Sequence, residues 1–167
     1  MNCTPNSPLA AATYLVDWIA ALRAYLLATA FLNLLWEAAQ LPLYTIWTDG
    51  TIREKTVAVV HCTMGDVLIA LAALAAALVV AGDHAWPARR WTLVAALTLA
   101  IGVAYTAYSE HLNVDVRRSW TYSDLMPRLP LLGTGLSPIL QWVVVPVGAL
   151  VWARRRALNG AGKRTRR

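Results

Sequence analysis

Four apolar stretches, at residues 24–41, 57–81, 91–109 and 136–153, constrain this chain more than any other feature of its sequence. Each is long enough to cross a hydrocarbon core of about 30 Å. Ionisable side chains inside them are scarce: Glu37 in the first, His61 and Asp66 beside Cys62 in the second, none in the third or fourth. The 167 residues are 58% hydrophobic and 14% charged, against roughly 25% charged in soluble domains. That balance excludes a disordered chain and disfavours a soluble globule. The expected class is all-α, an integral membrane four-helix bundle. Residues 1–23 would form a cytoplasmic or interfacial lead-in, 24–153 the transmembrane domain and 154–167 a basic cytoplasmic tail. The lead-in carries Asp17 and Arg23 and is expected to enter along the interface. Pro138 and Pro146 are tolerable where neighbouring helices satisfy freed carbonyls. Trp47, Trp86, Trp91, Trp120, Trp142 and Trp152 lie near span ends, as an aromatic belt would.

A net charge of +6 raises the question of a nucleic-acid partner, and its distribution answers it. Seven of the fifteen Lys and Arg residues fall in 154–167. A basic tail directly after an apolar span is a topology anchor beside anionic lipid. No nucleic-acid motif precedes it, so the expected partner is the bilayer and not a nucleic acid. Cys3 and Cys62 are too few for a disulfide framework. Cys62 reads as a small buried residue, Cys3 as no lipidated export signal, and the first residues as no signal peptide. An even number of spans places both termini on one side. That side holds ten cations (Arg23, Arg89, Arg90 and the seven of the tail), the other five. The cation-rich side is cytoplasmic by the positive-inside rule. Segments 44–55 and 110–135 would then face outward from a cell inner membrane. The second of these is long for so small a bundle, and its Trp120, Tyr122, Met126 and Leu129 suit packing or a membrane surface.

Helical phase at 100° per residue assigns inner faces. In the second span His61, Cys62, Gly65, Asp66, Ile69, Ala72, Ala73 and Ala76 share the inward arc, and Met64, Val67, Leu71, Leu74 and Leu78 the lipid arc. His61 and Asp66 are about 140° apart around the axis. In the third, Thr92, Ala95, Thr98, Gly102, Thr106, Ser109, Glu110 and Asn113 line one arc, with His111 facing outward. In the first, Asn33, Glu37, Gln40 and Tyr44 form one polar stripe with Trp36 beside it. Alternating span directions put all these groups, with Ser137 and Gln141, in the same outward half of the membrane. Independent drift would scatter them over both halves.

A charge at the bilayer centre costs about 2.5–3.5 kcal/mol on insertion scales, so Glu37 and Asp66 must be neutral, paired or solvated by a cavity. Desolvation disfavours the charged form of any buried acid or base, a condition that suits proton exchange near neutral pH. One reading is a pocket that binds a small amphiphile or lipid and converts it by acid–base chemistry. Glu37 and Asp66 would be acid and base and His61 the shuttle. Asn33, Gln40, Glu110 and Gln141 would bind substrate, and Trp36 and Trp142 would flank an apolar or cationic group. A second reading is a zinc or iron site of Glu37, His61, Asp66 and Glu110, whose spacing matches no tight metal motif. A third, a solute or proton pathway, lacks an inverted repeat and a charged inner half. Against all three stands a non-catalytic accessory or assembly protein whose polar residues are interhelical glue. An empty, outward-opening volume distinguishes a pocket from glue, which packs shut with every polar atom paired.

Three stretches carry a resemblance: Asn33-Leu-Leu-Trp-Glu-Ala-Ala-Gln-Leu-Pro-Leu-Tyr44, His61-Cys-Thr-Met-Gly-Asp66, and the segment from Tyr105 through Gln141-Trp142 with Arg-Arg-Ser-Trp and Met-Pro inside it. Together they resemble a family of small bacterial four-span membrane proteins. That likeness implies an inner-membrane location and brings no chemistry. A buried histidine among carboxyls is also similar to membrane sterol isomerases of the EXPERA group, whose spacing and span count differ, so no residue is carried over.

Overall fold

The computed structural model describes residues 8–81 and 86–164. Residues 1–7 of the lead-in, Cys3 among them, residues 82–85 of the inner loop and residues 165–167 of the basic tail lie outside them. Five helices follow in order: α1 (Pro8–Gln40), α2 (Ile46–Asp49), α3 (Ile52–Ala81), α4 (Trp91–Glu110) and α5 (Leu136–Arg164). The described residues form no strand, only two isolated bridges. Four helical segments are long and apolar enough to cross a membrane: Trp18–Leu43, Ile52–Ala81, Trp91–Val116 and Leu136–Leu158. The protein is an all-α, multi-pass membrane four-helix bundle.

All four spans run longer than the sequence pattern suggests. α1 continues without a break through residues expected to lie along the interface, so the boundary expected at Arg23 falls inside a helix. Beyond Glu110 the chain winds on as a π-helical segment, His111–Val116. There the Arg117 backbone amide reaches the Leu112 carbonyl at 2.8 Å, and the Asn113 side-chain Nδ2 donates back to the Ser109 carbonyl at 2.9 Å. Local hydrogen bonds thus carry the helical winding past Glu110. At the start of α3, Thr51 and Glu54 bond reciprocally, the Thr51 amide to the Glu54 carboxylate at 2.7 Å and the Glu54 amide to the Thr51 hydroxyl at 3.3 Å. This capping box satisfies donors that no helical carbonyl can reach. At the other end of α3, Arg90 donates to the Ala81 carbonyl at 2.6 Å and serves its orphaned C-terminus.

The long helices pack in a ring, α1 against α3 and α5, α4 against α3 and α5. Small residues set the spacing: Ala21, Ala24, Ala70, Ala77, Ala95, Ala149 and Ala153 are buried around Tyr25, Leu74, Val94 and Leu150. In lipid, close backbone approach supplies the dispersion and packing that hydrophobic burial supplies in water. Outward-facing side chains are large and apolar, with Leu27, Phe31, Met64, Leu68 and Val79 each more than half exposed.

Three assignments of face need correction. Leu74 is buried, whereas Ala72 and Ala76 are exposed. The buried line of α3 is Ala70–Ala73/Leu74–Ala77–Ala81, with half-buried Asp66 one turn before it, and alanine, indifferent to lipid or protein, blurs its phase. His61, about 140° from Asp66, is therefore exposed. Trp86 and Trp142 are buried core residues and not members of a belt. Trp86 meets Trp18 edge to face at 6.3 Å, and Trp142 lies against the backbone of Gly102.

That last contact is testable. A Cβ on Gly102 would collide with the Trp142 ring, while one on Gly148 meets only Leu32 at 3.7 Å. Gly102→Ala should lower the unfolding midpoint in detergent by the equivalent of about 1–3 kcal/mol, as overpacking does. Gly148→Ala should leave it unchanged or raise it. Equal behaviour of the two variants would contradict this packing.

Candidate functional site

The ends of α1, α4 and the beginnings of α3, α5 meet at the end of the bundle opposite the termini. Asn33, Glu37 and Gln40 are buried on one stripe of α1, as the spacing predicts. The amide of Gln141, on the second turn of α5, lies among them. Its Nε2 donates to Asn33 Oδ1 at 2.9 Å, Glu37 Oε1 at 2.9 Å and Asp66 Oδ2 at 2.8 Å. One amide nitrogen has two hydrogens, so three acceptors from two other helices share them. Gln40 Nε2 donates to Glu37 Oε1 at 2.9 Å and to Gln141 Oε1 at 3.2 Å. The chain of bonds runs on through Ser137, whose hydroxyl donates to Gln40 Oε1 at 2.7 Å and accepts from the Trp36 indole at 3.1 Å. The Trp142 indole also interacts with Asp66. Ser137, which sequence reasoning placed at this level but not in the site, is the joint between Trp36 and Gln40.

The segment after α4 closes over this end. Its backbone pairs with the turn that follows α1: the Thr45 amide donates to the Thr121 carbonyl at 3.0 Å and the Ser123 amide to the Leu43 carbonyl at 2.9 Å. Tyr122 and Met126 are buried beneath it, and the Tyr44 and Tyr122 rings pack at 5.5 Å. The Tyr122 hydroxyl donates to the Glu110 carboxylate and accepts from the Gly135 amide at 3.0 Å. Burial, then the bond to Glu110 and its charge, push the Tyr122 phenol above the usual tyrosine range. A raised acid is stable while protonated, so this latch persists at neutral pH and is lost only as pH rises past the free tyrosine value of about 10. Arg128 stacks over the same ring at 5.0 Å. Packing, the alternative expected for this segment, is what the structure has. Its pairing is non-local and left no periodic signal.

Between these parts lies a cavity of about 760 Å³. Glu37, Gln40, Asp66, Glu110, Gln141 and Trp142 line it from four helices, and exposed His61, Arg117 and Arg118 stand at its rim. Asn33 and Trp36 do not line it; both are spent on bonds between α1 and α5. His61 stands apart from the hydrogen-bonded network. Glu110 is held by Tyr122, which ties the closing segment to α4. Among the described residues no three of His, Cys, Asp and Glu come together in a group fit to hold a metal, so the expected set of Glu37, His61, Asp66 and Glu110 is not assembled as a metal centre. The buried polar residues include two carboxyls, and among the described residues no Lys, Arg or His. Thr106 is 6% exposed, faces the cavity, and its hydroxyl has no hydrogen-bond partner. No protein-family model, curated protein or solved structure matches the chain.

Two consequences follow from the bonds. Gln141→Leu leaves buried acceptors of three residues without their shared donor, at roughly 1–3 kcal/mol for an orphaned group. The unfolding midpoint of this variant should fall well below that of Trp36→Phe, which removes one bond only. Tyr122→Phe should release the closing segment. Trypsin cleavage at Arg117, Arg118 and Arg128 should accelerate about tenfold, the equivalent of ~1.4 kcal/mol of local opening; unchanged cleavage would mean the phenol does not latch it.

Proposed function

We propose that this protein sits in a cell inner membrane with both termini cytoplasmic, and that its cavity receives a small amphiphile or lipid from the outward side. The imbalance of ten cations against five supports the orientation. One observation carries the ligand reading: an open cavity of about 760 Å³ in which the carboxyls of Glu37 and Asp66 accompany an unpartnered, buried Thr106 hydroxyl. Glue between helices closes on itself and pairs its polar atoms. A volume of this size, apolar with a few convergent polar groups, suits a small ligand.

Within this reading Glu37 and Asp66 serve as acid and base. Both accept from the Gln141 amide, so a proton moving between ligand and one carboxyl is felt at once by the other. Gln40 and Gln141 orient the ligand, Trp142 flanks it, and His61 exchanges protons with the exterior from the rim. A second reading draws on the same geometry. Asn33, Trp36 and Ser137 behave as glue, and a non-catalytic assembly protein would need nothing more.

Glu37→Gln, Asp66→Asn and His61→Ala distinguish the two. Membranes carrying either carboxyl variant should show an altered lipid profile with folded yield retained, since general acid–base catalysis contributes about 10²–10⁴-fold. His61→Ala should give a smaller change of the same kind. Unaltered lipids together with lost folded yield would sink the pocket reading in favour of glue.

A further inference from the structure

Resting on that reading, we infer that the ligand is an amphiphile with a primary-amine head, which lodges between Glu37, Asp66 and the Thr106 hydroxyl after entering through the gap between α3 and α4.

The head group follows from the balance of donors and acceptors. At the deep end the side chains offer oxygen: the Glu37 and Asp66 carboxyls and the Thr106 hydroxyl. The amide donors at that end are already committed, Gln141 to three acceptors and Gln40 to Glu37 and to the Gln141 carbonyl oxygen. No lysine or arginine is among the buried residues described, and the arginines that face the cavity are exposed at its rim. A primary ammonium brings three donors and a positive charge, which answers both deficits. Trp142, whose indole stands beside Asp66, adds a ring face suited to a cation. A hydroxyl head supplies a donor without charge, and a trimethylammonium head supplies charge without a donor.

The route follows from two glycines. Gly102 admits the Trp142 ring, whereas a Cβ on Gly65 would meet nothing within 4 Å. Gly65 therefore faces open space in mid-helix, where glycine costs about 0.5–1 kcal/mol relative to alanine with no packing in return. It lines the cavity between the exposed Met64, its chain neighbour, and Leu68, three residues on, and shares the lining with Tyr105 of α4, which is 48% exposed. Gly65 and Tyr105 both line the cavity and belong to membrane-spanning helices, so an alkyl tail passing between them would stay in the outward half of the lipid while its head reaches Asp66.

The test uses dodecylamine, dodecanol and dodecyltrimethylammonium, one chain with three heads, added to the full-length protein in lipid nanodiscs. Binding is read as the shift of the unfolding midpoint and as the change in tryptophan emission. Dodecylamine should bind wild type at least tenfold more tightly than either other probe. Asp66→Asn and Glu37→Gln should each weaken it tenfold or more, and Gly65→Leu should abolish it without disturbing the polar network. Equal binding of all three heads, blocked by Gly65→Leu, would overturn the amine and leave the pocket standing. Tight dodecylamine binding that survives Gly65→Leu would overturn the route. No binding of any probe to folded wild type would overturn the inference, and with unaltered lipid profiles the pocket reading falls too.

Discussion

The need to satisfy every polar group placed in hydrocarbon governs this structure. Water cannot do it, so the helices do it for each other, and most of the burden falls on one side chain. The Gln141 amide joins α5 to Asn33 and Glu37 of α1 and to Asp66 of α3. Around it the order is set: α1 must present its polar stripe to α5, α3 must turn Asp66 inward, and the small residues below must let the backbones come close. Glu37 and Asp66 are tolerable at this depth only within that arrangement.

A cavity beside so complete a network is the feature that needs a purpose. On the α1–α5 side, bonds run unbroken from the Trp36 indole to the Asp66 carboxylate. Toward α4 the network stops: Thr106 has no partner, Gly65 faces open space, and Glu110 is held from above by Tyr122. The same polar cluster thus has a structural half and a vacant half. Substitutions in the two halves should not be read alike, because loss of Asn33 weakens a joint whereas loss of Asp66 alters both a joint and a wall of the cavity.

Much of this was legible beforehand. The stripe of Asn33, Glu37 and Gln40, the inner arc of α4 from Ala95 to Glu110, and the shared level of polar groups all follow from the 3.6-residue repeat and the alternation of span direction. Polar residues mark their own facing, since exposure to lipid is costly. Alanine carries no such mark, so helical phase alone turns Leu74 outward and Ala76 inward in the lower half of α3, the reverse of the structure. Trp86 and Trp142 were misplaced for a related reason: a tryptophan near a span end suits an interface and a core equally well, and only the neighbouring Trp18 and Gly102 decide. The pairing of residues 121–123 with the turn after α1 joins segments distant in sequence and leaves no local pattern. Nor does the cavity, whose lining comes from four helices and follows from no one of them.

Because the keystone sits on the last span, the chain must enter the bilayer with its joint unmade. Asn33, Glu37 and Asp66 are delivered by the first and second spans, long before Gln141 leaves the ribosome. Until then these groups must be sheltered by water, lipid head groups or the insertion machinery. A product truncated before residue 141 therefore leaves Asn33, Glu37 and Asp66 without the donor they share, and the bundle's polar joint is the last thing synthesis completes.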